Sequence, residues 1–134
     1  FSFPYIAFIH EELQKRGVSS YQEHLCGQHK DDFGYFKSLS LPPRTCISVD
    51  EQVDIKQAAA FFGEDYILAG NVSSATLICG TPQEVYQASR HVIEQMKYHP
   101  GGFILMPSCD LPPYTPPLNL YAMLKAARDF GSYQ

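Results

Sequence analysis

Apolar positions recur along the chain with two alternating periods. Tyr5, Ile6, Phe8, Ile9 and Leu13 fall at helical spacing between Pro4 and Arg16, and Gly17 ends the run. Ser20 to Leu25 reads as a short extended segment ending in Cys26-Gly27. A weaker helix is expected from Asp31 to Leu39, stopped by Pro42-Pro43, and Thr45 to Val49 forms a β-rich run ahead of Asp50-Glu51. Val53 to Phe62 predicts a helix closed by Gly63, followed by an apolar strand over Tyr66 to Ala69 that enters Gly70-Asn71. Thr81-Pro82-Gln83-Glu84 joins a capping residue, a first-turn proline and a glutamate three positions on. The helix it opens carries a stripe of Val85, Ala88, Val92 and Met96. Phe103 to Met106 is apolar throughout, as expected of a strand buried on both faces. Thr115-Pro116-Pro117 starts a last helix through Leu120, Leu124 and Ala127 to Phe130.

Helix and strand thus alternate along the chain. That order predicts an α/β fold with parallel strands and right-handed crossovers. An open doubly wound sheet and a barrel both satisfy it. An eight-stranded β/α barrel takes about 250 residues, so four β/α units in 134 residues make half of one. The sequence shows no internal repeat and no linker.

Composition narrows the function classes. Hydrophobic residues make up 45% and charged residues 18%, which suits a globular domain and argues against disorder. Ten Lys and Arg against fourteen Asp and Glu give a net charge of −4, unlike the basic face a nucleic-acid binder needs. No apolar run spans a bilayer, and the N-terminus lacks the pattern of a signal peptide. The expected setting is the cytoplasm, with no membrane or nucleic-acid partner. The chain opens on Phe1 rather than Met, which suggests a piece of a longer protein.

Four cysteines in such a setting are more often buried, catalytic or metal-bound than disulfide-linked. His24 and Cys26 are two positions apart at a strand end and so face the same way. Asp50 and Glu51 follow the second strand, Asn71 the third and Cys109 the fourth. In a parallel α/β fold these strand ends share one rim, where ligands bind. His24, Cys26 and Cys109 would converge there as a nitrogen and two sulfurs, a donor set suited to zinc with one position open. An isolated His-x-Cys pair is common by chance, and Cys109 alone reads as a turn residue. Their joint placement after the first and last strands is what favours a metal. Cys46, within a strand, and Cys79, in a connection, read as structural. His10 and His91 in helices, and His29 and His99 in connections, read as solvated.

These segments together resemble the C-terminal half of the uroporphyrinogen decarboxylase superfamily, and within it the zinc-dependent methylcobamide:coenzyme M methyltransferases. The matching stretches are Glu23-His24-Leu25-Cys26-Gly27, Ser48-Val49-Asp50-Glu51-Gln52-Val53-Asp54, Gly70-Asn71-Val72 and Gly80 to Val85. Gly102 to Cys109, Pro112-Pro113 and Thr115 to Asn119 continue the series in the family's order. The resemblance implies the second half of a (β/α)8 TIM barrel as a single domain over residues 1–134, either a fragment or a half that dimerises. It implies zinc on His24, Cys26 and Cys109, with Asp50 or Glu51 as an exchangeable fourth ligand and Asn71 as a hydrogen-bond donor at the rim. The implied activity is methyl transfer from a methylcorrinoid (methylcobamide) to a small thiol such as coenzyme M, with a corrinoid protein as partner. A decarboxylase-like domain, or a dimerising half barrel with no catalysis of its own, is the alternative. The family often reads Gly-Asn-Val-Asp-Pro where this chain has Gly70-Asn71-Val72-Ser73-Ser74.

Overall fold

The computed structural model describes residues 1–133. Helix α1 (Phe3–Lys15) takes Pro4 in its first turn, where a missing N–H costs no hydrogen bond. Strand β1 (Gln22–Leu25) leads to a 3-10 turn over Lys30–Asp32 and the short helix α2 (Phe33–Lys37). Strand β2 (Cys46–Val49) precedes helix α3 (Ile55–Phe62), which starts later than periodicity predicts. Asp54 is the reason: its carboxylate caps the helix by accepting from the Lys56 and Gln57 backbone N–H groups at 2.9 and 3.4 Å.

Strand β3 (Ile67–Val72) is followed by helix α4 (Ser74–Cys79), which the sequence reading misses. Ser73 caps α4 by accepting from Thr76 N–H at 3.2 Å. A serine hydroxyl therefore caps this helix at the position where the family often has an aspartate. Cys79 is the last residue of this helix rather than part of a loop. Helix α5 (Pro82–Met96) begins with the expected capping box. Strand β4 (Phe103–Pro107) and helix α6 (Pro117–Phe130) complete the chain.

The four strands form one parallel sheet in the order β1-β2-β3-β4. A doubly wound sheet reverses its strand order at a switch point. Here the order runs straight through, as in a barrel wall, and right-handed crossovers then place the helices on one face. Ile47, Val49, Leu68 and Val72 on that face are buried, each worth roughly 1.5–3 kcal/mol of apolar transfer. The opposite face, fixed by the register, carries His24, Ser48, Ala69 and Ile104.

Strand β4 is not buried on both faces as its composition predicts. It lies at the sheet edge, and Ile104, on the face away from the helices, is 46% exposed. The helices at the two ends show the same departure. In α1, Tyr5, Phe8 and Ile9 are exposed, and in α6 the buried residues are Asn119, Ala122, Met123 and Ala126 rather than the Leu120 and Leu124 stripe. His10 also departs from its solvated reading. It is 7% exposed, with Nε2 3.2 Å from the Glu23 carboxylate and its ring against Tyr21. Among the described residues, no helix is long and apolar enough to cross a membrane.

Candidate metal centre

The C-terminal ends of the strands carry the residues singled out from the sequence. His24 lies on the face of β1 away from the helices, and Cys26 follows one residue after the strand. Cys109 stands two residues beyond β4. Their ligating atoms lie within 4.8 Å of one another, and the Cys26 and Cys109 sulfurs are 3.8 Å apart. The Cys26 thiol is held above its ordinary pKa, first by its hydrogen bond with Cys109. The charge on that sulfur, and then those of Asp50 and Asp110, act in the same direction. A group of anionic donors with no cation among them resists ionising, and a bound cation reverses that balance.

The spacing suits zinc. With Zn–S bonds of about 2.3 Å and tetrahedral angles, two thiolate sulfurs sit about 3.8 Å apart. The mixed nitrogen and sulfur donor set also favours zinc over magnesium or calcium, which take oxygen ligands.

The two acidic residues after β2 are placed differently. Asp50 is buried, its Oδ1 accepts from Gln52 N–H at 3.0 Å, and its charge is felt at Cys26. Glu51 turns toward the neighbouring loops. Its Oε2 accepts from the Ser74 backbone N–H and from the Ser108 hydroxyl, each at 2.9 Å. Ser108 is itself buried beside Cys109, so Glu51 braces the loop that presents the sulfur.

Asn71 is also engaged in the scaffold. Its Nδ2 donates to the carbonyls of Asp50 at 3.1 Å and Val53 at 2.9 Å. Both amide hydrogens hold the β2–α3 loop, so the rim donor that the sequence reading expects is already occupied. Gly70 permits the tight fit behind it: at φ +134°, a Cβ would sit 2.9 Å from the Val49 carbonyl.

Sequence reasoning misses the serines. Ser48, the register partner of His24, places its hydroxyl 2.9 Å from the imidazole Nδ1. Ser108 and Ser74 hydrogen-bond each other and Glu51. The one available signal is position, because Ser48 stands on β2 two residues before Asp50 and Ser108 directly precedes Cys109.

A parallel sheet in barrel order, with a nitrogen and two sulfurs gathered at its C-terminal rim, defines a β/α-barrel wall carrying a candidate metal centre. Residues 1–130 match the sequence profile described as uroporphyrinogen decarboxylase (URO-D). The chain belongs to the uroporphyrinogen decarboxylase family. Two curated relatives are similar over 97% of this chain, both named methylcobamide:CoM methyltransferase MtbA. That of Methanosarcina acetivorans is 30% identical and that of Methanosarcina mazei 31% identical. The chain spans 36% of the length of each.

Proposed function

We propose that this chain carries the zinc–thiolate centre of an enzyme that moves a methyl group from a methylated corrinoid to a small thiol such as coenzyme M. The observation that supports it most is the 3.8 Å separation of the Cys26 and Cys109 sulfurs, with His24 completing a cluster within 4.8 Å. The names of the two relatives point to the same chemistry.

His24, Cys26 and Cys109 would hold the zinc. Bound there, zinc supplies the positive centre that keeps a substrate thiol deprotonated and nucleophilic near neutral pH. Cys26 and Cys109 contribute two negative charges and His24 a neutral donor, so a dication is neutralised without another anion. Of the two acidic residues that follow β2, Asp50 is the one whose charge reaches this cluster, alongside that of Asp110. With Oδ1 bound to Gln52 N–H, its other carboxylate oxygen would serve as the exchangeable fourth ligand that leaves when the thiol arrives, and the proton from the thiol would pass to solvent. Glu51 and Asn71 hold the loops that carry Cys109 and Asp50. In the overall reaction the thiol loses its proton and a sulfur–carbon bond forms to the methyl group. The cobalt–carbon bond breaks with both electrons remaining on the corrinoid.

This reading calls for a corrinoid-carrying protein as partner, in the cytoplasm. The exposed apolar residues of α1 and α6 and the exposed Ile104 on the edge strand β4 favour a working unit larger than these 134 residues. The rest of the wall comes either from a longer chain or from a second copy.

Metal analysis of protein purified without chelator tests the centre. The expected result is about one zinc per chain, lost in Cys26→Ala and in Cys109→Ala. Methyl transfer from methylcobalamin to coenzyme M should disappear in the same variants. A Cys109→Ala protein that keeps its full zinc content would overturn the ligand assignment.

A further inference from the structure

The His24 ring is held by a group that no metal-binding pattern includes. Ser48 lies beside it across the β1–β2 ladder, and its Oγ is 2.9 Å from His24 Nδ1. The same hydroxyl is 3.3 Å from the backbone carbonyl of Glu23. A carbonyl only accepts, so the single hydroxyl proton is donated to Glu23. Toward His24 the hydroxyl is then an acceptor, and Nδ1 must carry the hydrogen. Ser48 is 1% exposed, so water does not compete for either contact.

We infer that Ser48 is a positioning residue that fixes His24 as the Nδ1–H tautomer and so reserves Nε2 for the metal. The inference rests on the zinc reading above and adds the identity of the ligating atom. Fixing one ring nitrogen determines which lone pair faces the metal, and it also holds the ring plane against rotation. The β ladder supplies the placement, because His24 and Ser48 are register partners rather than residues brought together by flexible loops.

Two measurements on the full chain test this. In metal-free protein labelled with 15N-histidine, two-bond proton–nitrogen correlations at alkaline pH report the His24 tautomer, with the signal assigned by His24→Gln. Wild type is expected to show Nδ1–H, and Ser48→Ala to move toward Nε2–H. Cobalt(II) uptake, read from its thiolate charge-transfer bands in competition with a chelator, is expected to weaken roughly 10- to 100-fold in Ser48→Ala. Ser48→Thr, which keeps the hydroxyl, should restore both readouts. A His24 in the Nε2–H form in wild type would overturn the inference. So would a Ser48→Ala protein whose cobalt affinity stays within about twofold of wild type, below the range typical for losing such a partner. In both cases wild type still takes up cobalt and the metal reading stands. A wild type that takes up no cobalt overturns the metal reading and, with it, the role given to Ser48.

Discussion

Replacing Asn71 separates a scaffold role from a substrate-binding one. The side-chain amide joins the end of β3 to two carbonyls of the β2–α3 loop, at 3.1 and 2.9 Å. In Asn71→Ala both hydrogen bonds disappear, at a net cost of about 1 kcal/mol each, so a loss of about 2 kcal/mol is expected. Asn71→Asp keeps the shape but turns a carboxylate oxygen toward the two carbonyls. At pH 7 it should therefore cost more than truncation, about 3–4 kcal/mol once the repulsion is added to the lost bonds. Unfolding entropy for 134 residues makes 1 kcal/mol worth about 3.5 °C in Tm, which gives shifts of about 7 °C and 11 °C or more. Urea and thermal unfolding followed by circular dichroism read both variants. A stable Asn71→Ala with a raised KM for the thiol would refute the clamp and restore Asn71 as a substrate contact. An Asp variant milder than the Ala variant would refute the geometry.

Three further outcomes follow from the same contacts. Burial pushes the Glu23 carboxyl above its ordinary 4.5, with the His10 partner opposing only in part. A raised folded-state pKa means stability is present at low pH and declines as pH rises through that value. The stability of Glu23→Gln relative to wild type should therefore improve between about pH 4 and pH 7, and a flat difference across that range contradicts the burial argument. Thr81→Ala removes one half of the α5 capping box, in which Thr81 Oγ1 accepts from Glu84 N–H and Glu84 Oε2 accepts from Thr81 N–H. Its expected cost is about 1 kcal/mol, seen as a lower urea midpoint with an unchanged slope. Prolonged dialysis against a strong chelator should raise the number of reactive thiols by about two per chain in wild type, through Cys26 and Cys109. It should leave the thiol count of Cys26→Ala unchanged.

Periodicity and turn chemistry carry most of the fold in this sequence. The Thr81 start of α5, the Val85, Val92 and Met96 stripe and all four strands are legible from spacing alone. Helix α4 was not, because six residues containing Ser-Ala-Thr offer too little period to separate from a loop. The burial of β4 is not legible in the sequence for a different reason. An apolar run says that something covers a strand, not whether the cover lies in the same 134 residues. Tyr5, Phe8 and Leu124 show the same limit on the helices. His10 was unreadable locally, since its partner Glu23 sits on a strand whose alignment with α1 exists only in three dimensions. Within the site, strand-end placement suggested which nitrogen and sulfurs would gather. The division of labour between Asp50 and Glu51, and the occupied hydrogens of Asn71, depend on loop paths that spacing does not encode.

Cys26 and Cys109 are separated by 83 positions in the chain and follow the first and last strands of the sheet. In a flat sheet, three inter-strand steps of about 4.8 Å would hold those strands roughly 14 Å apart. Contact between their sulfurs therefore makes the cluster a clasp across the mouth of a curled sheet. A clasp of this kind would read curvature: any change that flattens the wall pulls the sulfurs apart before it disturbs a strand. It also puts His24, Cys26 and Cys109, the three proposed ligands, on one continuous stretch of polypeptide, so the proposed centre draws on no residue outside this chain.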